Sequence, residues 1–188
     1  MADQQPVYDI KITLLDVYCE ETEDRFGEDE FYIAGMMLAP GMETRAVLTE
    51  PIGINNGQTK PFPPSQALIL DAKGLKATDS VTFALAAYDE DAGKDLSKFV
   101  SFVVDLGLFV KQFISAADPV PNDLITKTRD FLIKEGWISK IDPDDYLGGL
   151  SETVPVADLH HGSRKVWSIT NTPAKYQVHF NINKIARG

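Results

Sequence analysis

Three short acidic segments hold the residues with which this chain could do chemistry. The first is Asp24-Arg25-Phe26-Gly27-Glu28-Asp29-Glu30-Phe31-Tyr32, the second Tyr88-Asp89-Glu90-Asp91, and the third Asp142-Pro143-Asp144-Asp145-Tyr146-Leu147-Gly148. Each borders a run that reads as a strand. A hard cation such as Ca2+ takes about six to eight oxygen ligands and tolerates irregular geometry, so acids converging from several loops suit it. Without a cation, carboxylates packed that closely repel one another. A single Asp in a turn has a simpler use, accepting hydrogen bonds from nearby backbone N–H groups. The segments therefore gain meaning only if the fold brings them to one place. Paired carboxylates can also act as general acid and base in a hydrolase. The chain offers little beyond its acids for that role, because its Ser, His and Cys residues form no recognisable nucleophile motif.

The remaining reactive side chains read more plainly. Cys19 is the only cysteine. It ends an apolar strand pattern and reads as a buried structural thiol, with no internal disulfide available. His160-His161 are adjacent and lack a Cys or His partner at ligand spacing, so they do not suggest a transition-metal site. His179 falls on the polar side of the last strand. Trp137 and Trp167 read as packing anchors. Gly148-Gly149 reads as a strand-edge turn and not as a phosphate loop.

The elements that must position the acids are mostly strands. Ile10, Ile12 and Leu14 alternate with polar neighbours, and the phase then shifts to Leu15, Val17 and Cys19. That shift predicts a β-bulge or a strand covered on both faces. Residues 31–38 form a continuous apolar run. Shorter candidates lie at 44–49 and 66–70. Val81, Phe83, Leu85 and Ala87 share one face of a strand over 80–88. At the C-terminal end, Tyr176, Val178, Phe180 and Ile182 alternate with polar residues. With residues 166–170 and the turn Asn171-Thr172-Pro173-Ala174, they predict a hairpin. Gly, Pro and Asn clusters at 39–41, 53–57 and 61–64 punctuate these strands and preclude long helices there. One stretch departs from the pattern. Phe99, Phe102, Val103, Leu106, Phe109, Val110, Phe113 and Ile114 recur at helical spacing over roughly 97–116. A second helix is expected after Asn122-Asp123, lined by Leu124, Ile125, Thr128, Phe131 and Leu132 and ended by Gly136.

The chain has 188 residues, 44% of them hydrophobic, and a net charge of −10. One substantial core is expected. The acidic balance argues against nucleic-acid binding through a basic surface and means that bound divalent cations would relieve self-repulsion. No apolar run approaches the ~20 residues of a membrane-spanning helix. The sequence opens without a basic region followed by an apolar stretch, so a cytoplasmic location is the default expectation, with leaderless export as an alternative.

Placed side by side, the acidic segments resemble those of a C2 domain. The first calcium loop of that family reads Asp, two residues, Gly, two residues, Asp-Pro-Tyr, then Val. Asp24, Gly27, Glu30, Phe31, Tyr32 and Ile33 stand at that spacing. The third loop opens with an aromatic residue and Asp-x-Asp, matched by Tyr88-Asp89-Glu90-Asp91, and ends as Asp145-Tyr146-Leu147-Gly148 does here. The resemblance implies a mainly β fold, an antiparallel eight-stranded Greek-key β-sandwich formed as a single domain over 7–188. It implies one or two Ca2+ ions held by Asp24, Asp29 or Glu30, Asp89, Asp91 and Asp145, with a backbone carbonyl from Glu90 and a second ion within reach of Asp144 or Asp142. The chain departs from the pattern in three ways. Glu30 stands for the second Asp of the first loop, Phe31 stands for its Pro, and about fifty residues separate Asp91 from Asp145. Residues 92–141 therefore read as an inserted two-helix hairpin. The expected function is a non-catalytic calcium-stabilised interaction module. The alternatives are a metal-free structural or assembly sandwich and, less favoured, a carboxylate-dependent hydrolase. A protein or glycan partner is favoured over a membrane, because no basic cluster supports docking to anionic lipid. Phe99, Phe102, Phe109 and Phe113 are the candidate partner surface.

Overall fold

The structure, a computed structural model, describes residues 6–22, 27–40, 42, 45–89 and 146–187. The helical insertion expected over 92–141, with Phe99, Phe102, Phe109 and Phe113, lies outside these residues. So do Asp24, Glu90, Asp91, Asp142, Asp144 and Asp145.

Among the described residues, ten strands follow one another as β1 (Val7–Glu21), β2 (Asp29–Leu38), β3 (Arg45–Leu48), β4 (Ile52–Ile54), β5 (Thr59–Pro61), β6 (Leu68–Lys76), β7 (Ser80–Asp89), β8 (Tyr146–Pro155), β9 (Ser163–Asn171) and β10 (Ala174–Arg187). A four-residue helix, α1 (Pro64–Ala67), precedes β6, and a 3-10 turn, Val156–Asp158, follows β8. Sheet 1 runs β5-β1-β10-β9 with β6 also on β1, and sheet 2 runs β3-β2-β7-β8 with β4 also on β2. All pairings are antiparallel. One outer lane of each sheet is interrupted. β5 and β6 share one edge of β1, and β3 and β4 share one edge of β2. Ten strands, five in each sheet, thus stand where the resemblance implies eight, because the lane beside β1 and the lane beside β2 are each split in two. The expected strand at 66–70 divides at Leu68, because Pro63-Pro64 sets a helical turn before the chain can pair.

The two sheets close on one core. Ile10, Ile12, Val17, Tyr176, Val178 and Phe180 of sheet 1 meet Phe31, Ile33, Phe83 and Leu85 of sheet 2. Phe83 and Phe180 meet edge-on across the gap, with ring centroids 6.0 Å apart. The phase shift read in β1 is a bulge. Its register against β10 slips between Leu14 and Asp16, so that Leu14 and Val17 both face inward while Leu15 is turned out. The C-terminal hairpin forms as expected, with Thr172–Pro173 cis in its turn. Trp167 and Cys19 are buried.

Gly148 and Gly149 are not a turn but lie inside β8, paired with Ala87 and Ala86. A Cβ at Gly148 would sit 2.9 Å from the Ile169 side chain, so close packing against sheet 1 excludes a side chain there. Gly35, within β2, has φ +146°, and a Cβ would fall 2.1 Å from the Ala84 carbonyl oxygen.

The two outward faces differ. On sheet 1, Lys11, Thr13, Gln177, His179 and Asn181 are exposed or half-buried polar residues. On sheet 2, nearly every residue of β2 is buried whichever way it points.

Candidate functional site

Register fixes where the acidic segments attach. Asp29 begins β2 and pairs with Ile54, the last residue of β4. Two residues on, Phe31 pairs with Asp89, the last residue of β7, and Tyr88 pairs with Tyr146, the first residue of β8. In sheet 1, Glu21 at the end of β1 pairs with Lys175 at the start of β10. Connections 22–28, 55–58, 90–145 and the β9–β10 turn therefore leave one common rim of the sandwich. Side chains and backbone tie this rim across the two sheets. The Thr22 N–H donates to Asn56 Oδ1 at 2.6 Å, and the Gly57 N–H donates to the Cys19 carbonyl at 2.8 Å. The Asn171 amide donates to the Tyr146 carbonyl at 2.7 Å.

Strand alternation decides which carboxylates face the gap. Phe31 and Ile33 point into the core, so Asp29 points the same way and Glu30 the other. Asp29 is fully buried and Glu30 half-buried. Asp89 follows Leu85 and Ala87 on the inward side of β7 and is 7% exposed. The two inward acids are thus diagonal neighbours at the rim, and each has a donor within the fold. The Tyr176 hydroxyl donates to Asp29 Oδ2. The Glu30 N–H donates to Asp89 Oδ1 at 2.7 Å. The Asp89 carboxylate therefore stitches β7 to the start of β2 just where the ladder ends.

Behind Asp29 lies a small buried polar group. Tyr176 packs its ring on Phe31, centroids 4.9 Å apart, and sits beside Cys19. Burial pushes the Tyr176 phenol up, and its hydrogen bond to Asp29 pushes it further. Burial also pushes the Cys19 thiol up to about 11, against a hydrogen bond to Tyr176 that lowers it, with the Asp29 charge adding to the rise. Cys19 is thus an inert thiol. At the outer margin of the rim, Lys175 bonds Glu21 at 2.8 Å and lies 3.8 Å from Glu20.

Among the described residues, no three His, Cys, Asp or Glu side chains converge closely enough to hold a metal ion. Asp29 and Asp89 come together at the rim. Glu30 lies beside them on the opposite face of the strand. The histidines stand apart from this rim. His160 and His161 are exposed, and His179 on sheet 1 meets Asp16 at 2.5 Å beside Arg164. The sequence reading missed Tyr176 as a rim residue. Its only local signal was an aromatic opening the inward row of the last strand.

No protein-family model and no curated protein matches the chain. Among solved structures, the chain resembles the C2A domain of plant extended synaptotagmin 1, over 98% of this chain and 99% of that one, at 6% identity and a TM-score of 0.46. It also resembles human GIVD cytosolic phospholipase A2, over 97% of this chain, at 8% identity and a TM-score of 0.38. The chain spans 17% of the length of that phospholipase. The arrangement itself is two antiparallel sheets with acidic segments attached at one rim.

Proposed function

We propose that this rim takes up Ca2+ and that the chain is a non-catalytic C2-like interaction module. The observation that carries the reading is the register at the rim. Asp29, Asp89 and Tyr146 end or begin strands that are hydrogen-bonded neighbours, so all three acidic segments are tethered to one place. The donor set fits the ion. It consists of carboxylate oxygens, and the chain carries a charge of −10 that bound cations would offset. A carboxylate has about four acceptor sites, so a hydrogen bond from Tyr176 or from the Glu30 N–H is compatible with ligation and would orient it, as outer groups do around metal-bound carboxylates. On this reading Asp29 is the ligand of the first segment, because it shares the inward face with Asp89 while Glu30 does not. Asp24, Glu90, Asp91, Asp144 and Asp145 would complete the shell from the two connections. Bound Ca2+ would lock the connections into a surface for a protein or glycan partner.

A second reading is favoured by one observation. Asp29 and Asp89 already have donors within the fold, as they would in a metal-free structural cluster. Thermal melting after chelation separates the two. Calcium at one hundred times its dissociation constant adds about 2.7 kcal/mol by linkage. For a chain of this size that is about 5–10 °C. Magnesium should give a much smaller shift, since it demands stricter geometry. Asp89→Asn with Asp91→Asn should remove the calcium shift. An unchanged melt across millimolar calcium would sink the calcium reading and leave the structural one.

A further inference from the structure

The chain's only Asn-Gly step, Asn56-Gly57, is exposed in the connection 55–58 between β4 and β5. An Asn-Gly step is where a polypeptide most readily modifies itself. The glycine backbone nitrogen attacks the asparagine side-chain carbonyl carbon, and glycine, lacking a Cβ, hinders that approach least. A C–N bond to the glycine forms and the side-chain amide C–N bond breaks. Ammonia leaves with the proton that the glycine nitrogen gives up. Water then opens the cyclic imide at one carbonyl or the other, giving aspartate or isoaspartate. The reaction needs only water. In the fold, both reacting groups are held by the end of β1. Asn56 Oδ1 accepts from the Thr22 N–H at 2.6 Å. The Gly57 N–H donates to the Cys19 carbonyl at 2.8 Å, and the Cys19 N–H donates to the Gln58 carbonyl at 2.9 Å. The Gln58 N–H closes the turn on the Asn55 carbonyl at 3.1 Å, with Gly57 at φ +75°. Attack requires the Gly57 nitrogen to lose its proton and turn toward the Asn56 side chain. The bond to Cys19 opposes both, and the bond to Thr22 fixes the side chain.

We propose that Asn56 is a self-modification site held in check by the end of β1, and that its conversion to isoaspartate unties the 55–58 turn from that strand. Reaction proceeds from the state in which the turn has parted from β1. Deamidation is slow beside local opening, so its rate follows the population of that open state. The two products act differently on the rim. Aspartate keeps the main chain as it is and replaces a neutral acceptor by a carboxylate, so the bond from Thr22 becomes charge-assisted. In isoaspartate the main chain runs through the former side chain and is one carbon longer. The closed turn and its bonds to Thr22 and Cys19 cannot then persist together. The inference does not depend on calcium.

Ageing of the full chain at mildly alkaline pH under chelation, followed by peptide mapping, tests it. In urea above the unfolding midpoint, Asn56 should convert before any other asparagine. In the folded chain the same step should run at least ~10-fold more slowly, as expected for a site that reacts only on local opening. Equal or faster conversion in the folded chain, or another asparagine converting first in urea, would overturn the proposal. Thr22→Pro lacks the N–H that holds Asn56 and should raise the folded rate about 3–10-fold while leaving the rate in urea unchanged. An unchanged folded rate in this variant would overturn the role given to β1. Because that substitution could disturb the strand end, melting of the wild-type products supplies a second measurement. The isoaspartate form, separated chromatographically, should melt at least ~2 °C below the fresh chain, and Asn56→Asp should melt with it no lower than the fresh chain does. An isoaspartate form that melts with the fresh chain, or an Asn56→Asp variant that melts as low as the isoaspartate form, would overturn the untying.

Discussion

Tyr176→Phe isolates one hydrogen bond at the centre of the rim. The ring of Tyr176 is 1% exposed and packs on Phe31, and phenylalanine keeps that packing. What is lost is the hydroxyl that donates to the buried Asp29 carboxylate. A hydrogen bond to a charged group is worth about 1.5–3 kcal/mol, and a buried acceptor deprived of its donor stands at the upper end. For a chain of this length each kcal/mol moves the melting temperature by about 2–4 °C, so a fall of about 3–12 °C is expected. Urea unfolding under chelation should show a lower midpoint with unchanged slope, the mark of altered stability without altered compactness. Tyr18→Phe, on the half-buried outer side of β1, should cost less than about 0.5 kcal/mol and serves as control. A double-mutant cycle with Asp29→Asn should give a coupling of at least about 1 kcal/mol. A Tyr176→Phe effect below about 0.5 kcal/mol with no coupling to position 29 would refute the account of the rim. If Asp29 also ligates calcium, the same variant should lose about 10–100-fold in calcium affinity, because Tyr176 orients the ligand.

Gly35→Ala should destabilise the chain by about 3 kcal/mol or more, since the new methyl group falls on the Ala84 backbone and the left-handed dihedral is strained for any side chain; a wild-type denaturation midpoint would contradict that geometry. Alkaline stability should fall from pH 9 upward. The Cys19 thiol is protonated in both states below its ordinary value of 9.0, but between there and about 11 only the unfolded chain ionises, so up to about 3 kcal/mol is lost across that window. Tyr176 and Tyr88, also pushed up by burial, add to the loss at higher pH. Cys19→Ala should flatten the slope between pH 9 and 10 in pH-dependent urea melts, and an identical slope would show that the thiol is not the titrating group.

Much of the scaffold could be read from local pattern, because strand alternation, a phase shift and a proline-bearing turn are properties of neighbouring residues. The bulge at Leu14–Asp16, the inward row from Val81 to Ala87 and the C-terminal hairpin all follow from residue order. So does the expectation that the acidic segments border strands, since Asp29, Asp89 and Tyr146 are strand termini. Other features escaped local reading. Strands β4 and β5 lie in a Gly- and Asn-rich stretch with turn composition, and they form because β2 and β1 offer edges to pair with. Gly148 and Gly149 resemble a turn until Ile169 occupies the space a side chain would need.

The sequence by itself determined that this is a β protein with acids at its strand ends, because burial in a strand imposes a period of two on the residues that form it. Only the tertiary structure decided which acids meet. Cross-strand register sets Phe31 opposite Asp89, and that register turns Asp29 inward to Tyr176 and Glu30 away. Register is a relation between distant segments, fixed by the packing of two sheets on one core, and no local pattern carries it.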